Sequence, residues 1–317
     1  MNELTEKSKH SMLTRIISAV VMVAVGLPCV IFGGPYFFAF AIIATLFGIY
    51  EFIQAPNKNR FNIFVYLIVF IFTLSFILWQ FLKPMIFDDN AFLEMNSISV
   101  STIGIMTYFV LLFATCLFTE KFTIGDASYL FTMGIYLALS VSSILFLRLY
   151  PSNPTYYGEN DLRSSLLIFF VLIGTIMNDV GAYFVGVLFG KHHMAPRVSP
   201  NKTWEGFVGG VVFSIVTSIL FAFTCSHLGA PLLEGVLEWK GLGILWICII
   251  SIMMPILANL GDLIFSSIKR HYQIKDFGRL IPGHGGILDR IDSLTFTSVS
   301  TVLLILSIVF LQGQGII

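Results

Sequence analysis

Nine runs of roughly 20 apolar residues, separated by short polar stretches, constrain this chain more than any other feature. They fall near 14–33, 35–54, 61–82, 98–118, 128–149, 164–190, 204–228, 241–268 and 289–312. At 1.5 Å rise per residue, each is long enough to cross a hydrocarbon layer of about 30 Å. Inside hydrocarbon a backbone has to satisfy its own hydrogen bonds, so such runs become helices. The expectation is an all-α, polytopic integral membrane protein with about nine transmembrane helices. One integral membrane domain, 1–317, accounts for the whole chain, with largely apolar spans over 1–160 and the polar interruptions over 161–317. Composition agrees. The chain is 56% hydrophobic and 11% charged, against about 45–50% and about 25% in soluble domains. The first run, Arg15 to Phe32, follows basic residues but shows no convincing small-residue cleavage site, and reads as a retained span. Cys29, Cys116, Cys225 and Cys248 lie far apart in apolar runs and read as small buried hydrophobes, not as a disulfide framework or zinc site.

The formal net charge is zero, which gives no case for a nucleic-acid partner; the distribution of charge is more informative. With nine spans, the N-terminus and alternate loops share one side, and that side carries fourteen of the 18 Lys and Arg residues, including Lys7, Lys9, Lys58 and Arg60. The other side holds only Lys83, Arg148, Arg163 and Lys240, with acidic loops containing Asp88, Asp89, Glu94, Glu159, Asp161, Glu234 and Glu238. Lys and Arg concentrate in cytoplasmic loops. The N-terminus is therefore predicted to be cytoplasmic.

Three polar interruptions lie toward that side. The first is "MNDVGAYFVGVLFGKHHMAPRVSPNKTWEG", where Asn178 and Asp179 sit within an apolar helix. A carboxylate there costs about 2.5–3.5 kcal/mol on insertion scales and needs a cavity or a partner. Lys191, His192, His193, Arg197 and Lys202 follow; the histidines, like His271, read as surface loop residues. Ser199, Asn201 and Thr203 are candidate caps for the next helix, with Glu205 in its first turn. The second is "ANLGDLIFSSIKR", whose Asn259, Asp262, Ser266 and Lys269 share one helix face. The third is "GHGGILDRID". Asp289 and Asp292 lie one turn apart, and the preceding glycines suggest free N–H groups that would suit an anion.

Carboxylates on helices (Asp179, Asp262, Asp289, Asp292) with cations at their ends suit Mg²⁺, which keeps waters and substrate phosphates. Such a set serves phosphoryl or nucleotidyl transfer. The bland readings are helix-start acids, structural ion pairs and headgroup anchors. "GVLFGK" lacks the spacing and hydroxyl of a Walker loop.

The segment S-x-K-R-x4-K-D-x-G-x2-I-P-G-H-G-G-I-x-D-R-I-D, Ser267 to Asp292, resembles the signature of the phosphatidate cytidylyltransferases, or CDP-diacylglycerol synthases. "NDVGAYFVG" and "SPNKTWEGFVGG" resemble further motifs of that family. The resemblance implies transfer of the cytidylyl group of CTP to phosphatidate, giving CDP-diacylglycerol and pyrophosphate in phospholipid biosynthesis. It implies catalytic roles for Asp289, Asp262, Lys269 and Arg290, with Asp289, Asp262, Asp292 and Asp179 around Mg²⁺. Lys202, Arg270, Lys275, His284, Gly285, Gly286, Asn178 and Glu205 are the implied substrate-binding residues. K⁺ as a second cation, a homodimer, the lipid bilayer as surroundings and a site on the cytoplasmic side complete the expectation. The rival readings are a CTP-dependent enzyme acting on another lipid, such as a polyprenol kinase, and a transporter. Polar groups clustered at helix ends without inverted repeats argue against the transporter.

Overall fold

A computed structural model describes residues 6–56, 61–86, 95–152 and 161–315. Lys58, Arg60, Asp88, Asp89, Glu94 and Glu159 lie outside the described residues, as do the side chains of Lys7, Lys9 and Lys83. The described residues form nine long helices: α1 (Glu6–Phe32), α2 (Gly34–Gln54), α3 (Ile63–Ile86), α4 (Met95–Phe118), α5 (Ile124–Leu149), α6 (Leu166–Phe189), α7 (Trp204–His227), α8 (Leu242–His271) and α9 (Leu288–Gly313). All nine are long and apolar enough to cross a membrane. The protein is a polytopic integral membrane protein.

The predicted spans match these helices, with shifts that have local causes. Helix α5 starts at Ile124 rather than near 128 because Thr123 and Asp126 form a capping box. The Thr123 side chain accepts from the Asp126 N–H, and Asp126 Oδ2 accepts from the Thr123 N–H at 3.0 Å. Before α7, the connection folds into a small antiparallel hairpin of β1 (His193–Ala195) and β2 (Ser199–Thr203). Ser199 and Asn201, expected as candidate caps, therefore lie in a strand. Thr203 is the cap, accepting from the Gly206 N–H at 3.1 Å.

Helix α5 runs through the core and packs on α2, α3 and α9. Ile49, Phe52, Leu130, Leu137 and Leu288 are buried there. The most extensive helix pair is α6 with α7, and glycines bring the two backbones together. A Cβ on Gly209 would overlap the Val185 side chain, and one on Gly210 would press on the Asn178 carbonyl. Hydrophobic burial discriminates little between lipid and protein, so this close approach carries much of the α6–α7 association.

Two ends of the bundle can be told apart by their contacts. At one end, Arg148 of α5 is buried and donates to the Val30 and Ile31 carbonyls at the end of α1 and to Ser152 and Ser164. A cation on the last carbonyls of a helix complements its negative end. At the other end meet the last turns of α2 and α8, the hairpin and the start of α9.

Replacing Gly209 with Val is expected to destabilise the protein by about 1–3 kcal/mol through overpacking. Val208→Ala, at a neighbouring exposed position, should stay within about 0.5 kcal/mol of wild type. Thermal unfolding in detergent, followed by circular dichroism, checks both.

Candidate active site

Helix α6 brings in the first polar pair. Asn178 is fully buried, and its Oδ1 accepts from Asn259 Nδ2 of α8 at 2.8 Å. Asn259 also donates to the carbonyl of Pro255 one turn earlier, at 2.8 Å. This amide bridge aligns α6 with α8. Asp179 follows and is exposed, and its Oδ1 accepts from Asn178 Nδ2 at 3.3 Å.

On α8, one turn beyond Asn259, Asp262 Oδ2 accepts from Lys202 Nζ of the hairpin at 2.6 Å. Its other oxygen accepts from Ser266 at 3.2 Å. Both members of the Lys202–Asp262 pair are partly accessible. Asp292 of α9 accepts from the Ser293 N–H at 2.8 Å. Asp179, Asp262 and Asp292 lie close enough to feel one another's charge, with Lys202 and Arg290 acting on Asp179 and Lys269 on Asp292. The spacing read from the sequence thus places one stripe of α8 opposite acids from α6 and α9.

Asp289 has different surroundings. Its side chain is 2% exposed and its Oδ1 accepts from Lys269 Nζ at 2.8 Å. Its Oδ2 accepts from the N–H groups of Phe277 and Gly286, at 2.8 and 3.0 Å. Three donors occupy most of what a carboxylate can accept. Asp289 organises the connection 272–287, whereas Asp179, Asp262 and Asp292 keep more of their oxygen lone pairs uncommitted.

The glycine-bearing turn is internally bonded. The His284 and Gly285 N–H groups donate to the Ile281 carbonyl at 3.0 and 3.1 Å. The Gly286 N–H belongs to Asp289, and those of Ile287 and Leu288 to Glu51. The expectation of free N–H groups at the start of α9 is therefore corrected: the chain's own carboxylates hold them. Gly283 and Gly285 adopt positive φ, 76° and 91°, which favours glycine. What the turn presents outward is charge, since Arg270, Lys275, Arg279 and Arg290 are exposed and His284 is partly so. Arg270 also donates to the Val198 carbonyl at 3.3 Å, tying α8 to the hairpin. Glu205 accepts from the Lys191 and His192 N–H groups at 3.2 Å and from the His192 ring at 2.5 Å, so it secures the hairpin entry. His192, His193 and His271 are exposed.

Two contacts come from the N-terminal part. Glu51 of α2 is buried and accepts from Ile287 and Leu288 N–H, both at 2.9 Å. Ser18 Oγ lies 2.8 Å from the Pro282 carbonyl and 3.0 Å from His284 Nδ1. Sequence reasoning missed both. An acid within an apolar run was the available signal for Glu51; nothing marked Ser18.

Among the described residues, no three His, Cys, Asp or Glu side chains converge as a ready-made metal cage. The donor chemistry nevertheless fits Mg²⁺. Asp179, Asp262 and Asp292 supply hard oxygen donors that act on one another, with Lys202 and Arg290 beside them. Mg²⁺ typically takes one or two carboxylates and fills the rest with water and phosphate oxygens.

Lys269→Met would strand the buried Asp289 charge and is expected to cost about 3–5 kcal/mol. Adding Asp289→Asn should recover most of that stability, because the amide oxygen can still accept from the turn. Denaturation measured on both variants checks this.

A profile of the Cytidylyltransferase family matches residues 13–308. The phosphatidate cytidylyltransferase of Bacillus subtilis is 34% identical over 220 residues, covering 69% of this chain and 72% of that protein. That of Haemophilus influenzae is 33% identical over 292 residues, 89% of this chain and 94% of its own length. That of Staphylococcus haemolyticus is 30% identical over 301 residues, 95% and 100% respectively. With an acid trio and outward cations at one end of a membrane bundle, and a match that spans nearly its whole length, the chain belongs to the cytidylyltransferase family.

Proposed function

We propose that this enzyme transfers the cytidylyl group of CTP to phosphatidate, giving CDP-diacylglycerol and pyrophosphate, in a Mg²⁺-dependent reaction at the cytoplasmic face of the membrane. The observation that carries this reading is the gathering of Asp179, Asp262 and Asp292 beside Lys202 and Arg290 at one bundle end, in a member of this family. Family membership supports CTP as donor, the relatives' names support phosphatidate as acceptor, and the Lys and Arg bias supports the sidedness.

The reaction joins two polyanions. A phosphate oxygen of phosphatidate attacks the α-phosphorus of CTP; the new O–P bond forms as the bond to the β-phosphate oxygen breaks, and pyrophosphate leaves with that electron pair. Repulsion between the two phosphates is the main obstacle, and fixed cations lower it. Arg270, Lys275 and Arg290 are exposed for phosphate oxygens. Lys202, held by Asp262 at 2.6 Å, is aimed from the hairpin toward the acids. Mg²⁺ would be held by one or two of Asp262, Asp292 and Asp179, with water and phosphate oxygens completing its shell, and would supply charge neutralisation and alignment of phosphate oxygens. Asp289, with Lys269, acts by keeping the turn and the start of α9 in register. Gly285 and Gly286 shape the turn, and the partly exposed His284 on it faces the nucleotide phosphates. Asn178 holds α6 to α8, and Glu205 holds the hairpin that carries Lys202. The exposed apolar side chains of α6, Ile176, Tyr183 and Phe184, offer acyl chains a surface beside Asp179. The lipid phosphate then reaches the acids without leaving the bilayer.

Purified protein in detergent should release pyrophosphate only with CTP, phosphatidate and Mg²⁺ together, with CDP-diacylglycerol as the lipid product. The same assay with and without K⁺ tests the second cation. A CTP-dependent lipid kinase would instead yield CDP and a phosphorylated lipid, and a transporter would yield neither.

Asp179→Asn, Asp262→Asn and Asp292→Asn should each raise the Mg²⁺ concentration for half-maximal activity by about tenfold or more. Magnesium titration of turnover checks this; unchanged titrations in all three variants would remove the metal assignment.

A further inference from the structure

Glu51 lies on α2, more than 200 residues from the turn it touches. It is 5% exposed, in a helix otherwise almost wholly apolar. Its two oxygens are used separately: Oε1 accepts from the Ile287 N–H and Oε2 from the Leu288 N–H, both at 2.9 Å. Leu288 is the first residue of α9, so the carboxylate sits at a helix N-terminus, where two backbone donors and the helix dipole favour an anion. Helix α9 has no side-chain cap of its own. Glu51 supplies one from a distant helix.

The fit around it is equally specific. A Cβ on Gly278 or on Gly286 would collide with the Glu51 carboxylate, so both glycines leave room for it on either side of the turn. Gly286 is not among the positive-φ residues. Alanine is therefore acceptable to its backbone, and the three atoms nearest to its methyl all belong to Glu51. The residues bonded to Glu51 lead directly into Asp289, Arg290 and Asp292.

We infer that Glu51 is a positioning residue for cytidylyl transfer: its carboxylate locks the turn into α9 and so sets where Arg290 and Asp292 stand toward the nucleotide. This rests on the reading that the turn receives CTP. The Glu51 side chain has little access to a substrate; it acts through the Ile287 and Leu288 amides. Displacement of a reacting group by about 1 Å can cost about 10²-fold in rate. The acyl chains of the acceptor lipid, in contrast, are held on this reading by the exposed apolar face of α6.

The test uses the full-length protein in detergent. Glu51→Gln turns one acceptor oxygen into an NH₂ group that faces a backbone donor. Hydrogen–deuterium exchange of the segment 277–291 without substrates should then show faster exchange there, with the other helices unchanged. The KM for CTP should rise, or kcat fall, by about 10²-fold, with the KM for phosphatidate within about twofold of wild type. Glu51→Asp, which keeps both oxygens but is one methylene shorter, should lie between the two. Gly286→Ala should reproduce the Glu51→Gln behaviour, and Gly286→Ala combined with Glu51→Asp should recover part of the loss, because the shorter acid makes room for the methyl. That pair decides the matter if Glu51→Gln does not fold. Unchanged exchange in 277–291, an equal loss of protection across all helices, or looser exchange with wild-type kinetics would each overturn the inference. Failure of the wild-type protein to use CTP would instead overturn the proposed function, and is seen before any variant is made.

Discussion

The connection from α8 to α9 depends on the buried Asp289 carboxylate. A segment that leaves helical geometry at a bundle end exposes backbone donors, and in a membrane protein those donors need partners within the chain. Asp289 accepts from two of them, at Phe277 and Gly286, and Lys269 balances its charge at 2.8 Å. With the turn fixed, the exposed cations of 270–290 and the acid on α9 acquire defined positions. Without it, α8 and α9 would still be apolar helices, but the polar groups between them would have no common frame.

The acids at this end divide by accessibility. Asp289 and Glu51 are buried and spend their oxygens on backbone amides, and Lys269 adds an ammonium to the first. Asp179, Asp262 and Asp292 are exposed or partly so, and repel one another. The first group is stable as it stands. The second is left with charge that only further cations can answer, which suits a site that binds metal and polyphosphate together.

Much of this could be read from the sequence, for identifiable reasons. Nine spans were legible because hydrocarbon demands long apolar helices, and no local propensity competes with that demand. The stripe Asn259, Asp262, Ser266, Lys269 was legible because helical spacing alone puts these residues on one face. The hairpin before α7 was not, since Ser199–Thr203 lacks alternation and contains a proline. The capping box that starts α5 was readable as Thr-x-x-Asp, yet it lay outside the apolar run used to draw the span. Glu51 was visible as an acid in an apolar run, but its role was beyond reach for a different reason. Its partners are backbone N–H groups far along the chain, and backbone groups leave no letter in a sequence.

Helix α1 deserves a mechanical reading. Little of its membrane-crossing length is buried against the rest of the bundle. At one end Arg148 grips its last carbonyls, and toward the other Ser18 meets Pro282 and His284 while Arg15 packs over Gly283. A rod held mainly near its two ends pivots there. Apolar helices answer a change in bilayer thickness by tilting. For this helix, a tilt would bear on the turn ahead of α9 through Ser18 and Arg15.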